Sequence, residues 1–157
     1  MDDKFMDFLD YVNKGDRAFV EELHEFLLEK GCKCEIKAAK SGPAVSYISG
    51  KTKKTVANFV CRKIGIKVRI YANNVNKYES FLNELPEKMK KEIKKSSVCK
   101  RLIDPEDCNS RCAMGFDFII DGEHCQKCRY MAFMPTITGE NNPFIRLFLE
   151  KELAGQE

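Results

Sequence analysis

Residues 55–72 read TVANFVCRKIGIKVRIYA. In the second half Ile66, Val68 and Ile70 alternate with Lys67, Arg69 and Tyr71, the period-two pattern of a strand with one buried and one wet face. Residues 55–62 form a second apolar, β-rich run, and Lys63-Ile64-Gly65 between the two is a turn. Two such runs joined so tightly imply an antiparallel hairpin. Immediately upstream, residues 34–39 and 45–49 flank Ser41-Gly42-Pro43, another turn. The expectation is a four-stranded antiparallel meander.

Further toward the N-terminus the period changes. Phe5, Phe8, Leu9 and Val12 fall at helical spacing until Asn13-Lys14-Gly15 stops them. Asp16 can cap a second helix, with Phe19, Val20, Leu23, Phe26 and Leu27 as one stripe and Gly31 as its end. Downstream of the meander, Tyr78, Phe81, Leu82, Leu85, Met89 and Ile93 mark a helical region. Pro86 should divide it, because its ring removes a backbone donor. The nearest thing to a linker is residues 136–142, after which Asn142 and Pro143 open a last helix with Phe144, Ile145, Phe148 and Leu149 inward.

These elements predict an α+β fold: an N-terminal helical hairpin, an antiparallel sheet with helices packed on one face, and a C-terminal zinc-stapled β-hairpin with a final helix. Residues 1–98 would form the core. Residues 99–157 would form a cysteine-rich module packed with it as one unit.

The module is read from residues 99–129, CKRLIDPEDCNSRCAMGFDFIIDGEHCQKCR, which hold five of the eight cysteines. Cys99, Cys108 and Cys112 lie before an apolar run, Phe116 to Ile120, and Cys125 and Cys128 lie after it. Asp121-Gly122 is a strong two-residue hairpin signal. Two groups of thiols separated by a hairpin can bring four soft ligands to one tetrahedral ion.

The turn also chooses among the thiols. It pairs Ile120 with Glu123 and Phe118 with Cys125, which places Cys125 on the apolar face. Cys128 then projects to the other face, beside the point where Cys112 enters. The favoured ligands are therefore Cys99, Cys108, Cys112 and Cys128, with Cys125 the alternative in place of Cys99. One structural zinc is the expected cofactor, and Lys100, Arg101, Arg111, Lys127 and Arg129 are near enough to soften the charge of four thiolates. An iron–sulfur cluster also accepts four thiolates but fits less well, because the Cys-x-x-Cys-x-x-Cys run is absent. The plainer alternative is a set of unligated thiols.

Other residues carry weaker signals. Cys32-x-Cys34 could be a redox pair, Cys61 reads as core, His24 as a surface or boundary residue and His124 as a hairpin-tip residue. Basic residues gather at Lys51, Lys53 and Lys54, at Lys67 and Arg69 beside Tyr71, and at Lys90, Lys91 and Lys94. Such groups can hold phosphates and stack a base. The net charge of only +3 over 157 residues does not by itself imply nucleic acid.

Composition, 43% hydrophobic and 32% charged, suits a chain with a real core, and no apolar run reaches bilayer length. The acidic start lacks the pattern of a signal peptide, so a cytoplasmic location and no membrane partner are expected. There is no glycine-rich phosphate loop, no His-Glu-x-x-His and no Ser-His-Asp candidate. An all-cysteine zinc site is closed to substrate, so catalysis is not expected.

In layout the chain resembles small bacterial α+β proteins of the broad class that includes YdhG-like and MmcQ/YjbR-like domains. The resemblance covers residues 46–93. It rests on the tyrosine strand Val45-Ser46-Tyr47-Ile48, the second strand hairpin and the Asn83-Glu84-Leu85-Pro86 helix start. The cysteine module is an addition to that pattern and is similar to cysteine-rich tails on small proteins of anaerobic Firmicutes. The resemblance implies a fold and no particular activity.

The functional expectation is a zinc-stapled binding or regulatory module that recognises a small molecule or protein. Its pocket would lie between the N-terminal helices and the sheet, lined by Phe5, Phe8, Tyr47 and Phe59. The alternatives are a nucleic-acid-binding protein and a thiol-redox or metal-responsive protein.

Overall fold

A computed structural model describes residues 2–104, 106 and 111–156. Cys108 lies outside the described residues. The chain opens with helix α1 (Asp3–Leu9), where the Asp2 carboxylate accepts from the Lys4 amide as N-cap. A short 3-10 turn, Lys14–Asp16, leads into α2 (Arg17–Glu29). Gly31 ends α2 with φ +89°, a left-handed conformation that glycine adopts without strain.

Four strands follow: β1 (Cys32–Lys37), β2 (Ala44–Ser49), β3 (Thr55–Arg62) and β4 (Gly65–Ile70). They form the expected antiparallel meander in sequence order. Their register puts Cys34, Tyr47, Ala57 and Ile70 in one row across the sheet, and Ile36, Val45, Phe59 and Val68 in the next. Both rows belong to the face covered by helices.

A 3-10 stretch, Glu79–Glu84, ends where Pro86 caps α3 (Glu87–Lys95), so proline divides the helical region as its chemistry requires. The one-turn α4 (Lys100–Ile103) precedes a two-stranded hairpin, β5 (Phe116–Ile120) and β6 (Glu123–Lys127). Last comes α5 (Asn142–Gly155) with proline at its start.

Between β6 and α5 the structure departs from expectation. The Val68 amide donates to Pro135 O, the Ile70 amide to Phe133 O, and the Ile137 amide to Ile66 O. Residues 133–137 thus run antiparallel along the free edge of β4 as an added edge strand, where part of a linker was expected. Pro135 accepts from Val68 but has no N–H to return to Val68 O, so the ladder lacks one bond there, a loss that an edge strand tolerates.

The hairpin β5–β6, the 133–137 segment and α5 belong to the same apolar core as α1, α2 and the meander. Phe133 touches Phe116 and Phe118 of the hairpin and Phe148 of α5, at ring separations of 5.7, 5.0 and 5.1 Å. α5 is fixed further by Glu152, which is fully buried. Its carboxylate accepts from the Tyr78 hydroxyl (2.6 Å), the Asn74 amide (3.0 Å) and Asn74 Nδ2 (2.8 Å). Among the described residues no helix is long and apolar enough to cross a membrane.

Candidate functional site

The groove expected beneath the N-terminal helices is filled. Phe5, Phe8, Tyr47 and Phe59 are at most 1% exposed and pack ring against ring, with Phe8–Phe59 at 5.6 Å and Tyr47–Phe59 at 5.7 Å. The space between Leu23, Leu27, Tyr47 and Leu149 admits no water. These aromatics are core and not an open pocket, because α1, α2 and α5 close over the same sheet face.

His24 is also inside. It is 5% exposed, stacked on Phe5 at 3.7 Å, with Nδ1 2.7 Å from the Tyr47 hydroxyl. Burial lowers its pKa. The periodicity of α2 already placed residue 24 beside Leu23 and Leu27, and this was the signal for its burial.

The cysteines divide as the hairpin turn dictates. Asp121 and Gly122 have φ values of +49° and +79°, the geometry of a type I′ turn. Ile120 pairs with Glu123 and Phe118 with Cys125. Cys125 is accordingly 3% exposed in the apolar core, and burial raises its thiol pKa.

Cys99 and Cys128 instead lie at the open end of the hairpin, and Cys112 is tied to α4 through Arg101. The Cys99 amide donates to Gln126 O (2.9 Å), and Val98 bridges Lys127. The Gly115 amide donates to Cys99 Sγ (3.2 Å). Gly115 is required there, since a Cβ would come 2.0 Å from Lys127 O and 2.8 Å from Cys99 Cβ. Arg101 Nη1 donates to Cys112 O, and the Cys128 amide to Ser97 O (2.8 Å). Among the described residues no group of three or more His, Cys, Asp or Glu side chains stands arranged for a metal.

This end of the hairpin also carries a cleft. The Cys128 carbonyl accepts from the Met131 and Ala132 amides (3.0 and 2.9 Å), turning the chain into the 131–135 segment. Lys127 Nζ donates to Lys94 O and Ser96 O, capping the end of α3. Between these two walls lies a cleft of about 390 Å³. Met89, Ile93, Met131, Phe133, Met134 and Phe148 supply its apolar surface. Arg62, Lys67 and Lys95 supply positive charge, against Glu92 alone. Sequence reasoning missed it because its lining comes from β3, β4, α3, the added edge strand and α5.

The basic residues read as nucleic-acid contacts are dispersed. Lys51, Lys53 and Lys54 sit in the β2–β3 turn, while Lys67 pairs with Val60 near the opposite turn. Arg69 donates to Tyr130 O and Asn58 Oδ1. Lys90 is buried in ion pairs with Glu87 and Asp121, and Lys94 also reaches Asp121. Tyr71 is 8% exposed and donates to Asn58 Oδ1, so its ring is not open to a base. Lys91 is exposed on α3.

Cys32 and Cys34 lie in β1, with Cys32 buried and Cys34 half-buried. Burial raises both thiol pKa values, the reverse of what a redox pair needs. Burial likewise raises the pKa of Cys61, whose side chain is core. His124 is exposed and pairs with Asp117 across the hairpin at 2.6 Å, apart from the cysteine end. Comparison with family models, curated proteins and solved structures finds no match for this chain.

Proposed function

We propose that this chain is a binding module stapled by one zinc ion, with the ligand cleft built on the staple. Cys99, Cys112 and Cys128 would supply three thiolates and Cys108 the fourth, and zinc binding would have to draw the first three together, because they do not stand as a ready-made group. Zinc held this way is structural, fixing chain geometry without an open coordination position. The observation that carries the reading is the Gly115 amide donating to Cys99 Sγ. A backbone donor aimed at a sulfur stabilises a thiolate ligand and orients it. Arg101 Nε agrees with this, being a buried donor without an acceptor among the described residues. A charged sulfur beside Cys112 would satisfy it.

The staple serves binding because Cys128 holds both cleft walls. Its amide fixes Ser97, just beyond α3, and its carbonyl turns the 131–135 segment. Structural zinc in small folds is worth on the order of 10 kcal/mol, ample to set the spacing of two such walls. The test is metal content and ligand binding on the same variants. Cys128→Ser should lose both the metal and the cleft, whereas Cys125→Ser should keep both at a modest packing cost. Metal retained in Cys128→Ser would overturn the ligand set.

A further inference from the structure

The cleft between α3 and the 131–135 segment has a composition that selects a ligand class. Its volume of about 390 Å³ falls in the range of small-molecule sites. Its floor is hydrocarbon and thioether. Three of the six methionines line it, Met89, Met131 and Met134, and flexible polarizable side chains of this kind adapt to an aliphatic body. Phe133 and Phe148 lie beneath and are each 1% exposed, so no open aromatic face is offered to a base.

The charges around it are distinctive because they are not spent within the fold. On the hairpin side of α3, Lys90 and Lys94 are answered by Asp121, and Lys90 also by Glu87. On the cleft side, Lys95 is exposed and makes no ion pair among the described residues. Arg62 gives one guanidinium N–H to its neighbour's carbonyl, Cys61 O, and keeps the others. Lys67 Nζ stands 3.5 Å from Met134 O, a long contact that leaves its other donors available. Three cations against one carboxylate, over an apolar floor, complement a molecule with an anionic head and a greasy body. The polar cleft beside Asn73, Asn76 and Asp117 offers no such match, since its Arg129 is already bonded to Asn73 Oδ1 and Met114 O.

We infer that this cleft binds a small aliphatic carboxylate, with the chain against Met89, Met131 and Met134 and the head between Arg62, Lys67 and Lys95. The inference rests on the cleft being the ligand site, and the experiment separates the two claims. Isothermal titration of the full-length, zinc-supplemented protein uses three probes below their micellar concentrations: decanoate, decanol and decyltrimethylammonium. Decanoate should bind at one per chain, about tenfold tighter than decanol, and the ammonium should not bind. Arg62→Gln and Lys95→Gln, both at exposed positions that leave the core intact, should each weaken decanoate about tenfold and leave decanol unchanged. Equal affinity for decanoate and decanol, or insensitivity to both substitutions, would overturn the carboxylate assignment while the cleft itself survives. Failure of all three probes to bind would overturn the cleft as a ligand site, and the assignment with it.

Discussion

His24 lies 2.7 Å from the Tyr47 hydroxyl with the Phe5 ring stacked against it at 3.7 Å. Burial, the largest influence, lowers its pKa below the ordinary 6.5, and the opposing pull of Glu25 and Asp2 is smaller. In the unfolded chain the imidazole takes a proton as pH falls through 6.5, whereas the folded chain resists until lower pH. The unfolded state therefore binds more protons in that window, and stability is lost on acidification. Urea unfolding should show a falling free energy below the ordinary histidine value, and His24→Asn, which keeps a polar group near Tyr47, should flatten that slope. Glu152 acts with the opposite sign: burial raises its pKa, so it costs stability as pH rises past 4.5. The difference between wild type and the His24 variant removes its contribution. A slope unchanged by the substitution would refute the assignment. Gly115 yields a second prediction at this scale. Gly115→Ala places a Cβ within 2.0 Å of Lys127 O and should destabilise the chain by about 2–3 kcal/mol, read by thermal unfolding.

Among the elements, the hairpin β5–β6 was legible because Asp121-Gly122 fixes its register, and register alone decides that Cys125 faces Phe118 in the core. The meander was legible for a similar reason, since its apolar residues alternate in β4. The strand over 133–137 was not. Phe133, Pro135 and Ile137 do alternate as its buried positions, but a central proline argues against a strand unless it lies at an edge, and an edge is a property of the assembled sheet. Phe133 anchors this element to β5 and α5 together. Phe133→Ala should cost about 3–5 kcal/mol and weaken ligand binding in the cleft, measured by unfolding and by titration. A loss below about 1 kcal/mol would mean that the segment is held by its backbone bonds alone.

At the scale of the whole molecule, the candidate site was only half visible beforehand. The core position of Cys125 could be read from one turn and the alternation of strand faces. The cleft could not, because five separate segments build it and no local pattern announces their meeting. The expected pocket failed for the same reason: α5 returns from the far end of the chain to help cover Tyr47 and Phe59, and only tertiary packing decides that. What joins the two halves of the site is Cys128, whose backbone fixes both cleft walls beside the sulfur proposed to bind zinc. The most direct test of that claim is native mass spectrometry of protein purified without oxygen, alongside Cys99→Ser and Cys125→Ser. One zinc per chain is expected, retained in Cys125→Ser and lost in Cys99→Ser. A chain without metal, or metal that survives Cys99→Ser and disappears with Cys125→Ser, would contradict it.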